Sequence, residues 1–590
     1  MVVFLNYMKY SAIPTAQTIV QHCRAKEIGN IVISPGSRNA PLTIAFAENP
    51  FFKCFSIVDE RSAAFFALGM AQQLKEPVVV LCTSGSALLN YYPAIAEAYY
   101  SNIPLIVISA DRPVYKLGIG DGQTIDQRNV FKNHIGYSAN LKQDVSHASS
   151  TVLQYRPDWL EEGTMEDIQH EVQTFNDQQL NLAFDISLKS NSPVHINAPF
   201  EEPLYNTVLE PTVSPQLNIE ANEIVDVPNL EPHREIWNAS SKKMILVGVN
   251  SPDKVESEIL GFLANDPSVL VLTETTSNIH HPHFFNSIDS LIAPIEMQLD
   301  SDELFKKLRP DVLITFGGLI VSKKVKAFLR KHKPDHHWHI GGQTANNTFF
   351  CLKEHLKISV NRFFDEMYAQ PIKTDSDYFL SWNKVKQGYM LKREAYLKKI
   401  PFSDFSAFGQ LLGSVPDNYM LQLANSSTIR YTQLFDLNPS LKVFCNRGTS
   451  GIDGSTSTAV GASWAYGSPT LLVTGDLSFF YDSNALWNNY IKNNFRIIVI
   501  NNGGGGIFRI LPGKDDSSVF ETYFETRHSL SAEHLCNMFG FDYRTAKSSI
   551  ELEDELKDFY KETIRPMLLE ITTPTLINDK ILIDYFRFIS

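Results

Sequence analysis

Residues 473–508 read VTGDLSFFYDSNALWNNYIKNNFRIIVINNGGGGIF. One apolar run ends in Gly475 and Asp476, a helical stretch follows, and a second run, RIIVI, ends in Asn501 and Asn502. Apolar runs of this length, bounded by turn residues and alternating with helices, are buried strands of a parallel sheet. In such sheets ligands gather at the strand C-terminal ends. Asp476 and Asn502 sit at two of these ends, where a carboxylate, an amide and a main-chain carbonyl form an oxygen set suited to a hard cation. Magnesium usually shares its shell with phosphates rather than with protein alone. Gly503 to Gly506 leave the backbone open to a diphosphate and are expected to offer it free N–H groups. Taken alone, Gly-Asp reads as a helix cap before a loop; the Asn pair at this separation favours the metal reading.

The same theme recurs outward. In the first ~200 residues NIVISPGSR, PVVVLCTSG, PLIVISADRP and PVHINAPF each end an apolar run in turn or charged residues, the pattern of an α/β domain. The segment Pro77–Asp111 repeats the strand–loop–helix–strand order of Pro469–Asn502. That match suggests two similar sheets, although generic α/β units would also give it. KKMILVGVN, SVLVLTET, DVLITFGG and HHWHIGG mark a middle α/β domain, and LKVFCNRG, TLLVTGD, RIIVINN and RPMLLEITT a third. We expect a first domain over 1–204, a Pro-rich acidic linker over 205–235, a central domain over 236–370 and a third over 371–590. Residues 153–175 read as an acidic, helical surface excursion.

With 590 residues, 44% hydrophobic and 20% charged, the chain is globular and too long for one core. A net charge of −13 argues against nucleic-acid binding. Six scattered cysteines without C-x-x-C spacing suit a reducing compartment. The start, MVVFLNYMKYSAIPTAQ, lacks the apolar core of a signal peptide, and no run approaches the roughly 20 residues that span a bilayer. A cytoplasmic protein without membrane association is expected. The histidines at 280, 281, 283, 336, 337 and 339 lack the context of a zinc site. LVGVNSPDKV lacks G-x-G-x-x-G, so no flavin or nicotinamide is expected in the central domain.

Arg38, Arg112, Arg430 and Arg447 lie near ends of strand-like runs, placed for bidentate capture of carboxylates, though any one alone also suits a surface ion pair. Glu60, in VDERSA, read alone is first-turn helix charge.

The Gly-Asp and Asn-Asn elements at this spacing resemble the thiamine-diphosphate fingerprint of the decarboxylase-like enzymes. The resemblance covers nearly the whole chain. More narrowly, SPGSRNAPLTIAF, DERSAAFFALGMA, TSGSALLNYYPAIAEA, ISADRP, NRGTSGIDGSTSTA and GDLSFFYDSNAL look like the family of SEPHCHC synthases of menaquinone biosynthesis. The resemblance implies three Rossmann-like parallel-sheet domains in the order pyrimidine, central, diphosphate. It implies a carboligase-type transferase that decarboxylates 2-oxoglutarate and adds the resulting succinic-semialdehyde carbanion in 1,4 fashion to isochorismate. The cofactors implied are thiamine diphosphate and Mg²⁺ or Mn²⁺, in a homodimer or dimer of dimers.

By the same resemblance, Asp476, Asn502 and the Gly504 carbonyl would hold the metal. Glu60 would activate the pyrimidine, a task that requires a tuned carboxyl. Ile452 would prop the cofactor, with Ser86, Gly475, Leu477, Ser478, Ile507 and Phe508 around it. Ser37, Arg38, Gln123, Arg430 and Arg447 would face the reacting substrates, and Arg112, Lys323 and Lys324 would bind them. Leu477 departs from the general fingerprint's Gly, Gly503 stands where some relatives carry a third Asn, and Lys324 where relatives carry Arg. The competing readings are another thiamine-diphosphate decarboxylase or carboligase of acetohydroxyacid-synthase type, and a non-catalytic nucleotide-binding α/β scaffold.

Overall fold

Val78–Cys82 and Leu105–Asp111 are buried at every residue, as strands must be when helices cover both faces of a parallel sheet. A computed structural model of the chain describes residues 9–160, 163–218, 228–370, 374–510 and 517–590. Residues 1–8 at the start, 161–162 of the expected excursion, 219–227 of the expected linker and 371–373 at the expected third-domain start lie outside them.

The first sheet has six parallel strands in the spatial order Lys53–Ser56, Asn30–Ile33, Val78–Cys82, Leu105–Asp111, Val194–Pro199, Tyr137–Asn140. A later sheet runs Lys442–Cys445, Met420–Leu423, Thr470–Gly475, Phe495–Asn501, Met567–Thr572, Asp542–Ala546. Numbered within each sheet, both orders are second, first, third, fourth, sixth, fifth. The repeat suspected from Pro77–Asp111 and Pro469–Asn502 is therefore a repeat of topology. In each sheet the winding reverses between the first and third strands, and a crevice opens at that switch point. Ser37 and Arg38 follow the first strand of the first sheet, and Ser86 its third. Arg430 and Asp476 follow the corresponding strands of the later sheet.

Between them in sequence lies a five-stranded parallel sheet, ordered Val269–Thr273, Lys243–Val247, Val312–Phe316, His336–Ile340, Glu354–Leu356. The described residues form two compact units. One holds the first sheet together with Asp453–Gly467 and Asp482–Ile491; the other holds the remaining two sheets. Within the first unit the helix Glu60–Leu74 lies against the helix Ser455–Tyr466. A Cβ at Gly69 would fall 2.0 Å from the Thr458 carbonyl oxygen, and one at Gly461 2.0 Å from that of Phe66. Only glycine permits this approach, which fixes the helix that begins with Glu60.

Three differences from the sequence reading have local causes. The strands Met420–Leu423, Asp542–Ala546, Glu354–Leu356, Lys53–Ser56 and Tyr137–Asn140 escaped notice. The second of these is a sheet edge with four of its five residues at least partly exposed, so it lacks an apolar run. Residues 165–175 are not a mere excursion. They open the helix Met165–Ser190, capped by Thr164 and Asp167, which buries Val172, Leu180 and Phe184. The expected linker contributes Thr207–Val208, paired antiparallel with Tyr10–Ser11, and its end starts the helix Glu231–Ala239. No helix among the described residues is long and apolar enough to cross a membrane.

Candidate active site

In the first unit the turn after Asn30–Ile33 leans on the turn after Val78–Cys82, and the Arg38 N–H donates to Thr83 Oγ1 at 3.3 Å. The buried Arg38 guanidinium donates to the Phe200 carbonyl at 3.0 Å and to Glu202 Oε1 at 3.1 Å. Burial and the neighbouring Arg112 guanidinium hold Arg38 below the ordinary arginine value. Arg112 itself donates to the Gly122 carbonyl at 3.0 Å. Ser84 Oγ donates to the Gln123 carbonyl at 3.0 Å, so Gln123, Arg112 and Arg38 converge at one switch point. Ser37, Ser86 and Gln123 are exposed there.

Sequence reasoning missed Gln127. Its buried amide accepts from Gly85 N–H at 2.8 Å and donates to Asn197 Oδ1 at 2.9 Å and to the Ala110 carbonyl at 3.2 Å. It ties the turn before Ser86 to two strand ends.

Glu60 is the first residue of its helix, and Asp59 caps that helix by accepting from Ser62 N–H at 3.0 Å. Asn90 Nδ2 donates to Glu60 Oε2 at 3.5 Å. Burial pushes the adjacent Cys82 thiol and Tyr91 phenol well up, and the Glu60 charge adds to both shifts.

In the second unit Gly475 pairs with Ile500 across two parallel strands, so Asp476 and the Asn501–Asn502 pair leave neighbouring strand ends. Buried Asp476 accepts from Leu477 N–H on Oδ1 at 2.6 Å, and from Gly503 and Gly504 N–H on Oδ2 at 2.9 and 3.0 Å. The Gly505 N–H goes to the Glu525 carbonyl at 2.6 Å and that of Gly506 to the Gly504 carbonyl at 3.0 Å. This overturns the expectation that the four glycines hold N–H groups free for a diphosphate: the backbone turns back on Asp476 and on the end of the helical turn Glu521–Glu525 instead. The turn still requires glycine, because Gly504 has φ +147 and a Cβ there would lie 2.6 Å from the Glu525 oxygen.

Asn502 Nδ2 donates to Asp404 Oδ2 at 2.9 Å. Asp476 supplies a carboxylate, Asn502 an amide oxygen and Gly504 a main-chain carbonyl, the oxygen chemistry that suits a hard cation such as magnesium. His528 Nε2 stands 3.3 Å from Asp476 Oδ2, and that carboxylate raises the imidazole's pKa. Ile452 is 38% exposed, an apolar projection whose carbonyl accepts from Ser478 Oγ at 2.6 Å. Leu477, Ile507 and Phe508 are half-buried.

Arg430 and Arg447 form a second like-charged pair. Burial and Arg447 hold Arg430 below the ordinary value, and Arg430 Nη1 donates to the Ser426 carbonyl at 2.7 Å. Arg447 Nη1 donates to Asn425 Oδ1 at 2.7 Å. Of the central-domain lysines, Lys323 is exposed and Lys324 is ion-paired with Glu296. The sequence reading missed Lys326, which senses both Glu274 and Arg447 and is lowered by burial.

Glu274 was missed as well. Its carboxyl accepts from Val321 N–H at 2.7 Å and Ser322 N–H at 2.7 Å, holding the turn that starts the Lys323–Lys331 helix. Burial raises it from the ordinary 4.5 to about 7, against the pull of these donors and of Arg447. Between those two pH values the folded state keeps a proton that the unfolded chain has lost, so stability falls as pH rises. Glu274→Gln should remove this slope. Denaturation from pH 4 to 8 should show the variant gaining on the parent, by on the order of 3 kcal/mol across the window. A pH-independent difference would mean that the carboxyl titrates alike in the folded and unfolded chain, without the upward shift.

The histidines at 337 and 339 both hydrogen-bond the Thr315 hydroxyl at 3.0 Å. Among the described residues no group of three or more His, Cys, Asp or Glu side chains gathers to hold a metal.

Residues 13–135 match the N-terminal TPP binding domain of thiamine pyrophosphate enzymes, and residues 425–571 match their C-terminal TPP binding domain. The chain is 54% identical over 583 residues to the 2-succinyl-5-enolpyruvyl-6-hydroxy-3-cyclohexene-1-carboxylate synthase of Christiangramia forsetii, covering 98% of this chain and 100% of that one. The like-named protein of Flavobacterium johnsoniae is 53% identical over 585 residues, with 98% and 100% covered. That of Porphyromonas gingivalis is 36% identical over 584 residues, with 96% and 95% covered.

Proposed function

The chain belongs to the family of 2-succinyl-5-enolpyruvyl-6-hydroxy-3-cyclohexene-1-carboxylate (SEPHCHC) synthases, and from that premise we propose the reaction and the roles of its residues. The enzyme is a thiamine-diphosphate-dependent transferase of the carboligase type. It decarboxylates 2-oxoglutarate and adds the remaining four-carbon unit in 1,4 fashion to isochorismate, releasing CO₂ and SEPHCHC for menaquinone biosynthesis. When bound, thiamine diphosphate supplies the electron sink for the decarboxylation.

The observation that carries the substrate reading is the grouping of arginines. Arg38 with Arg112, and Arg430 with Arg447, are like-charged pairs whose repulsion an anion would relieve. 2-Oxoglutarate and isochorismate each bring two carboxylates, and two basic pairs match them. Ser37 and Gln123 orient the substrates beside the first pair, with Lys323 and Lys324 as further cationic contacts. Asp476, Asn502 and the Gly504 carbonyl hold Mg²⁺ or Mn²⁺. Glu60 exchanges a proton with the pyrimidine ring. Ile452, Ser86, Gly475, Leu477, Ser478, Ile507 and Phe508 shape the cofactor's surroundings.

The test is a product assay with thiamine diphosphate, Mg²⁺, isochorismate and each 2-oxoacid in turn. CO₂ release and loss of isochorismate absorbance are expected with 2-oxoglutarate. Pyruvate leaves a buried arginine without its carboxylate, so its kcat/KM should be lower by on the order of 10³. Equal turnover of pyruvate would move the chain to an acetohydroxyacid-synthase-like activity.

The domains act as pyrimidine (1–204), central (236–370) and diphosphate (371–590) modules of a cytoplasmic enzyme. None of the six cysteines forms a disulfide, which supports that compartment. The active species is a homodimer, or a dimer of dimers, in which Glu60 of one chain and Asp476 of the other serve one cofactor. Mixing inactive Glu60→Gln and Asp476→Ala proteins under subunit exchange should then restore part of the activity. No recovery despite proven exchange would place each site within one chain.

A further inference from the structure

We propose that Asp404 is a positioning residue for the metal centre and decides which end of the Asn502 amide faces the cation. The proposal rests on the reading of Asn502 as a metal ligand. Asp404 opens the helix Asp404–Ser414, far from the Asn-Asn motif in sequence, and is 2% exposed. Its Oδ1 accepts from Thr573 Oγ1 at 2.5 Å and its Oδ2 from Asn502 Nδ2 at 2.9 Å. Its own N–H donates to Asn578 Oδ1 at 2.8 Å, so the backbone beneath the carboxyl is held too.

The two ends of an amide have nearly the same shape and differ in one property: nitrogen donates and oxygen accepts. An ionised carboxylate only accepts. It therefore selects the NH₂ end of Asn502 and turns Oδ1 away from itself. The Asn502 carbonyl accepts from Thr575 Oγ1 at 2.7 Å, which pins the main chain and leaves the amide torsion as the freedom that Asp404 removes. With the amide reversed, oxygen would oppose oxygen in a buried site, and the cation would meet an NH₂ group with no lone pair to give. A partner of this kind orients a metal ligand without touching the metal.

The experiment measures Mn²⁺ affinity at pH 8 in the full-length protein with thiamine diphosphate present, by electron paramagnetic resonance of free Mn²⁺. Asp404→Asn puts a group that both donates and accepts against Asn502, so either amide orientation is allowed. Affinity should fall by about 10- to 100-fold, the usual effect of losing such a partner. The exchanged pair, Asp404→Asn with Asn502→Asp, restores a donor facing a carboxylate and again leaves an oxygen for the metal; it should recover most of the loss. A purely structural role for Asp404 would not produce that recovery.

Unchanged affinity in a cooperatively melting Asp404→Asn protein would overturn the proposal while leaving the metal site intact. Absence of thiamine-diphosphate-dependent Mn²⁺ binding in the unaltered protein would overturn the metal reading and this proposal with it. If Asp404→Asn does not fold, the exchanged pair decides, since failure of that folded variant to bind Mn²⁺ contradicts the role assigned here.

Discussion

Asp476→Ala is expected to abolish magnesium-dependent binding of thiamine diphosphate. The carboxylate does two things at once in this fold. It is the charged member of the oxygen set proposed for the cation, and it receives the N–H groups of Leu477, Gly503 and Gly504. Alanine removes the charge that would offset the metal and takes the acceptor from Leu477 and Gly504 N–H, while Gly503 N–H keeps Asn501 Oδ1 at 3.1 Å; each donor left unmet costs about 1–3 kcal/mol where water cannot reach. The glycine turn should then lose its shape together with its ligand. Calorimetric titration of the cofactor, with and without Mg²⁺, reads the first effect, and a lowered melting temperature reads the second. Unchanged, magnesium-dependent cofactor affinity in the folded variant would sink the metal assignment. A lowered melting temperature with intact binding would leave Asp476 a role in the turn alone.

Glu60→Gln should bind the cofactor and fail to activate it. The helix that begins at Glu60 is held by the Asp59 cap and by the close approach of Gly69 to its neighbouring helix, neither of which involves the Glu60 side chain. Glutamine keeps the oxygen that accepts from Asn90, so the local geometry survives. What it loses is a proton that can be shared with the pyrimidine ring. Removal of a positioned acid–base group typically costs 10²–10⁴ in rate, and C2 proton exchange should slow by about 10³-fold. Deuterium exchange at C2, followed by proton NMR in the protein-bound cofactor, measures it. Exchange at the parental rate would take Glu60 out of the mechanism.

Much of this architecture is legible in the chain because parallel strands announce themselves. Val78–Cys82, Leu105–Asp111 and Phe495–Asn501 are buried throughout, so their sequences are nearly unbroken apolar runs. The residue after such a run stands at a strand end by construction, which is why the places of Asp476, Asn502 and Arg112 are legible in the sequence. Polar and edge strands carry no such run: Asp542–Ala546 is at least partly exposed along most of its length and could not be found that way.

The sequence by itself determined the order of strands and helices, the buried runs and the residues that stand at their ends. Only the tertiary structure decided what those residues touch. Asp404 meets Asn502 across 98 positions, and Glu274 meets Val321 across 47. No local periodicity encodes such pairs, since they depend on how separate elements pack. The glycine N–H groups looked available in the sequence for the same reason. A run of four glycines specifies freedom of the backbone, whereas the acceptors that use it, Asp476 and the Glu525 carbonyl, are brought there by the fold. Hydrophobic patterning acts between neighbours along one element and can be read from one dimension; the hydrogen bonds that aim a metal ligand join distant segments and exist only once the chain has closed on itself.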